Sequence, residues 1–83
     1  MIPGKLYKIN YMLWFSHINT PIQDMSIKGE YIPKNEHVML INSYLDTNNP
    51  RYTILECTHL TKRLKTRLLL VDIELDYSLT QIR

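Results

Sequence analysis

Two residues that could do chemistry stand close together: Cys57 and His59, two apart, share one face if the segment is a strand. His17 or His37 could then complete a zinc site, since thiolate and imidazole are ligands zinc prefers. The paired CxxC or HxxxH groups of structural zinc sites do not occur, however, and Cys57 reads more simply as a buried thiol. Asp72, Glu74 and Asp76 alternate in the same way and could offer carboxylates to a divalent cation, but such a row usually forms the solvated face of a strand. A nucleophilic site would need Cys57 or a serine beside a histidine and an orienting carboxylate. No nucleophile elbow or HExxH helix is present, and the two glycines, Gly4 and Gly29, cannot build a phosphate-cradling loop. The sequence therefore predicts no enzyme, no metal and no cofactor.

Charge is more informative. Lys62, Arg63, Lys65 and Arg67 place four fixed positive charges in six residues with no acid between them, in a chain whose net charge is only +2. Such a segment could follow a phosphate backbone, with tyrosines among Tyr7, Tyr11, Tyr31, Tyr44 and Tyr52 stacking on bases. The same residues also suit a protein interface, where aromatic and arginine side chains are the usual anchors. The expected contact set is Lys28, Tyr31 and Lys34, from a long early loop, with Lys62, Arg63, Lys65 and Arg67. A protein is the leading partner, with nucleic acid as the alternative. The sign change from residues 62–67 to 72–76 also allows self-association, basic face to acidic face. On this reading, reversing Arg63 and Arg67 to Glu weakens binding and shifts stability by less than about 0.5 kcal/mol.

The elements that must position these residues are small in number. Eighty-three residues make one domain, 1–83, with a single modest core and too little bulk to wall off a deep cleft. One cysteine cannot close an internal disulfide, which favours a reducing, cytoplasmic compartment. No run approaches the ~18 apolar residues of a membrane span, and no basic stretch leads into a long apolar one at the start, so no membrane partner and no signal peptide are expected. Alanine, the best helix former, is absent, while Ile occurs 10 times and Tyr 6, so composition leans towards strands.

Tyr7, Ile9, Tyr11 and Leu13 alternate with Lys8 and Asn10 and predict an opening strand, punctuated by Pro3-Gly4, with Trp14 following as a core anchor. Residues 16–36 lose periodicity at Asn19, Pro21, Asp24, Gly29, Pro33 and Asn35 and read as a long loop with one short extended piece around Met25 to Ile32, of the length that is usually functional or mobile. His37 to Leu45 and Arg51 to Thr58, separated by Asp46-Thr47-Asn48-Asn49-Pro50, predict an antiparallel hairpin over 37–58. Leu69, Val71, Ile73, Leu75, Tyr77 and Leu79 alternate with polar residues over most of their length and predict a long final strand. Leu60, Leu64, Leu68 and Val71 also sit at helical spacing, so a short helix over 60–71 is the alternative there. The expected architecture is all-β: a small antiparallel SH3-like barrel of four to five strands, with one long early loop.

Pro3-Gly4-Lys5-Leu6-Tyr7-Lys8-Ile9, Ile32-Pro33-Lys34 leading into Val38-Met39-Leu40, and Tyr52-Thr53-Ile54-Leu55 resemble a pattern in the small SH3-like proteins of tailed bacteriophages. About 20 residues carry the likeness, and the Gly-Trp element common late in those proteins is missing here. The resemblance implies a phage accessory protein in the host cytoplasm, a binder or inhibitor of a host macromolecule, or else a minor virion component. It brings no catalytic residue.

Overall fold

A computed structural model of the chain describes residues 1–71, 75 and 77–82. Seven strands follow in order: β1 (Leu6–Ile9), β2 (Leu13–His17), β3 (Glu30–Ile32), β4 (His37–Leu45), β5 (Tyr52–His59), β6 (Leu64–Val71) and β7 (Leu79–Gln81). A short 3-10 turn at Ile22–Asp24 lies between β2 and β3. All pairings are antiparallel within one curled sheet of order β3-β2-β6-β5-β4-β1-β7, which fits a small β-barrel.

The centre of the sheet is the meander β4–β5–β6, where local hairpins carry the longest strands. The turn at 46–51 is locked by its own side chains: Asp46 Oδ1 accepts the Asn48 N–H at 3.0 Å and Asn49 Oδ1 that of Arg51 at 3.3 Å. The opposite turn, 60–63, is possible because Arg63 adopts a left-handed backbone (φ 54°). On either side the early strands complete the curl, β1 between β4 and β7, and β2 against β6.

Alternation decides which side chains enter the curl. Tyr7 and Ile9 from β1, Leu13 and Phe15 from β2, Val38 and Leu40 from β4, Leu55 and Cys57 from β5, and Leu68 and Leu70 from β6 form one buried cluster with Ile32 and Leu79. Burial of this apolar area is the main favourable term, at about 25 cal/mol per Å². In β4 the pattern stops at a register shift between Leu40 and Asn42, and residues 41–45 are exposed.

The predicted hairpin over 37–58 is present as β4 and β5, and Cys57 is buried as expected. Other expectations need correction. The sheet has seven strands rather than four to five, because short segments inside the supposed loop and near the end pair with longer strands. Residues 60–71 form a turn and strand β6, not a helix, since Thr66, Leu68 and Leu70 point inwards at period two. The long final strand stops at Val71: Leu75, Tyr77 and Ser78 have helical backbone, and β7 begins at Leu79. Asp72, Glu74 and Asp76, the carboxylate row, lie outside the described residues. Tyr11 is exposed, because the chain turns at residues 10–12 between two strands instead of continuing one. Trp14 is only half-buried.

The early loop is tied down. Trp14 Nε1 donates to the Met25 carbonyl at 2.5 Å, and the buried Ser16 hydroxyl donates to the Lys28 carbonyl at 2.5 Å. Met25 itself is buried beneath the loop. Gly29 is required by space: a Cβ there would run into the Phe15 carbonyl oxygen and come within 2.9 Å of Trp14 Cε2. The loop thus closes onto β2 as a fixed wall rather than an open flap.

Candidate binding surface

The seven residues expected to meet a partner have different fates. Lys28 is exposed where the loop rejoins β3. Tyr31 is exposed on β3 and stands edge-on to Trp14, with ring centroids 5.1 Å apart. Lys34 lies in the turn between β3 and β4, held by the Asn35 N–H donating to the Ile9 carbonyl. Lys62 crosses to β3 and pairs with Glu30 at 2.5 Å, 5.9 Å from the centroid of the Phe15 ring. Both charges of that pair are largely solvated, so it contributes little to stability. Arg63 and Lys65 are exposed at the turn and the first residues of β6.

Arg67 is different in kind. Its guanidinium donates to the Ile18 and Thr20 carbonyls at 2.7 Å each and lies 3.8 Å from Glu56 Oε2. The side chain is only 14 % exposed, and its Nε is buried without a partner among the described residues. Arg67 therefore fastens the start of the early loop to β6. The expectation that its reversal would leave folding unchanged fails for this reason: a carboxylate at 67 would face two carbonyls and Glu56. The run 62–67 is thus not a uniform basic face, since one cation is turned into the fold and one is paired.

Two grooves flank the fixed loop. The first, about 330 Å³, has Phe15 and Leu64 as its apolar lining and His17, Thr20, Lys28 and Glu30 on its polar side. The second, about 370 Å³, opens between residues 22–26 and the turn 46–52. Trp14, Ile22, Tyr52 and Leu69 supply its apolar surface over the buried Met25, and Ser26, Asp46 and Asn49 are its polar lining. Its size is at the low end for small-ligand sites, and its make-up, a mainly apolar lining with a few placed polar groups, is that of a recognition site. Sequence reasoning missed this groove. Trp14 reads as a core anchor, Tyr52 as a strand tyrosine able to stack on bases, and Met25 as the start of a short extended piece in the loop; only the fold brings them to one place. The turn signal at Asp46 to Pro50 marked one wall, but nothing local showed that the loop at 22–26 would form the other.

Cys57 and His59 are withdrawn from solvent, whereas His17 and His37 are exposed. Burial, with the charge of Glu56 adding to it, pushes the Cys57 thiol up to about 12, so it stays protonated and unreactive at neutral pH. His59 is fully buried with Nε2 directed at Glu36 and its ring edge-on to Phe15. Tyr44 donates to Glu56 Oε2 at 3.1 Å, and burial and that hydrogen bond raise its phenol above the usual value. Among the described residues no group of three or more His, Cys, Asp or Glu could hold a metal ion, and no helix is long and apolar enough to cross a membrane.

Comparison with protein-family models, curated proteins and solved structures found no match to this chain.

Proposed function

We propose that the chain is a small non-enzymatic binding module that acts by occupying a surface of another protein. The observation that carries this reading is the second groove, in which Trp14, Ile22, Tyr52 and Leu69 converge over the buried Met25, between two walls each tied by a side-chain hydrogen bond. Fixed walls favour binding because little ordering entropy remains to be lost on association. Exposed Tyr31, edge-on to Trp14, and Ile27 extend the apolar character of this side of the molecule. Together with the phage-like pattern of the opening and middle strands, these features support an accessory protein that binds and modulates a host component in the host cytoplasm.

Nucleic-acid binding is supported less well. Of the four cations in 62–67, Lys62 is paired with Glu30 and Arg67 is held inside the fold.

The test compares the wild-type chain with Tyr52→Ala and with the double variant Arg63→Glu/Lys65→Glu, as baits in a nuclease-treated bacterial lysate. A protein captured by the wild type and by the charge variant but lost with Tyr52→Ala supports the groove. Capture that depends on intact nucleic acid, or that disappears only with the charge variant, would replace this reading with the phosphate-binding one.

A further inference from the structure

Asp46 is 8 % exposed, and Oδ1 is occupied by the Asn48 N–H, yet among the described residues the carboxylate has no cation within ion-pair distance. It is also the single formally charged residue lining the second groove. Glu36, by contrast, faces His59, and Glu56 faces Arg67 and the Tyr44 hydroxyl. Arg51, in the same turn as Asp46, makes no ion pair among the described residues. A carboxylate that lines a mainly apolar groove and has no counter-charge among the described residues is a ready partner for a cation arriving from outside.

We propose that this groove selects a partner-protein segment in which a lysine or arginine stands beside an apolar residue. The inference rests on the groove being the binding site, and it names the chemistry of the occupant. Trp14 and Tyr52 would cover the aliphatic stem of the cation and present ring faces to its head. The Trp14 N–H is already committed to the Met25 carbonyl, so the indole offers its ring and no donor. Ile22 and Leu69 would take the neighbouring apolar side chain. Phosphate groups and acidic segments would meet Asp46 as a like charge and be disfavoured at this site.

Trp14 is the sole tryptophan and lines the groove, so its fluorescence reads occupancy directly. Three blocked peptides sharing one apolar frame, with a central arginine, citrulline or glutamate, would be titrated against the full chain. The expected result is saturable change in Trp14 emission, with the arginine peptide bound about tenfold more tightly than the citrulline one, as befits one charge-assisted hydrogen bond. Asp46→Asn keeps an oxygen for the Asn48 N–H and removes the charge, so it should erase that preference while weak binding of both peptides persists. Competition by methylguanidinium against the arginine peptide, but not against the citrulline peptide, supplies a second readout on the unaltered chain. Equal affinity for arginine and citrulline, or a preference that survives Asp46→Asn, would overturn the cation assignment and leave the groove itself standing. If none of the peptides perturbed Trp14, the groove reading would fall with it.

Discussion

The imidazole of His59 is fully buried, and its Nε2 lies 2.5 Å from Oε1 of Glu36, a side chain that still reaches solvent. The pair joins the end of β5 to the turn before β4, and the Leu60 N–H adds a bond to the His37 carbonyl close by. His59 Nδ1 has no partner among the described residues, so the ring depends on Glu36 for its polar contact.

Removing that contact should be expensive. Glu36→Ala leaves a buried ring nitrogen unsatisfied and is expected to lower unfolding stability by about 2 kcal/mol, with Glu36→Gln costing less because an acceptor remains. Urea denaturation of the two variants measures the difference. Equal loss in both would show that the charge, not the hydrogen bond, is what His59 requires.

Arg63 and Arg67 should behave oppositely. Arg67→Ala breaks two charge-assisted bonds to the Ile18 and Thr20 carbonyls and is expected to cost about 2–3 kcal/mol, releasing the segment at 18–20. Arg63 occupies a left-handed position in an exposed turn, so Arg63→Gly should be neutral or stabilise by up to about 1 kcal/mol. Thermal melts of the two variants, with amide exchange at Ile18 to Thr20, would separate them; a neutral Arg67→Ala would mean the loop is held by Trp14 and Ser16 alone.

Gly29→Ala should destabilise by about 1–3 kcal/mol through overpacking, since the added methyl meets the backbone carbonyl of Phe15, which cannot rotate away. The same methyl presses on the Trp14 ring, so a shifted Trp14 emission should accompany the lower melting temperature. Wild-type stability and emission would show that β3 can move to make room.

Cys57 should resist thiol reagents at pH 8 until the protein unfolds. Its ordinary value of 9.0 is raised to about 12 by burial, so the folded state holds the proton more tightly than the unfolded chain. The linked stability is full below about pH 9 and is lost as pH rises towards about 12. Rapid labelling under native conditions would contradict this, and an unfolding midpoint that did not fall over that alkaline range would remove the linkage.

The fold was legible where hydrophobic alternation was long and the turn chemistry strong, as in β4, β5 and the turn starting at Asp46. It was hidden where strands were three or four residues long: β3 and β7 exist because Leu13 to Phe15 and Tyr7 to Ile9 offer them an edge, a signal held by the partner strand and not by the segment itself. The last third misled because Leu75, Tyr77 and Leu79 keep the period-two spacing of a strand, yet Leu75 and Tyr77 have helical backbone, so spacing alone did not decide. At the surface, counting charges located the basic run but could not show that Arg67 turns inwards, since that depends on carbonyls some 47 to 49 residues away in sequence. The groove was hidden for the same reason, being assembled from four separate stretches of chain.

The placement of β1 between β4 and β7, and of β2 against β6, also sets the order in which the molecule can form. The meander closes only short loops, whereas pairing Tyr7 with Gln81, or Phe15 with Leu68, requires most of the chain to be gathered first. That entropic cost falls late, so residues 37–71 are the natural nucleus and the N-terminal strands dock onto a surface already made. Both grooves border the early loop, so on this order they come into being only at that final step, when Tyr7, Ile9, Leu13 and Phe15 also complete the core.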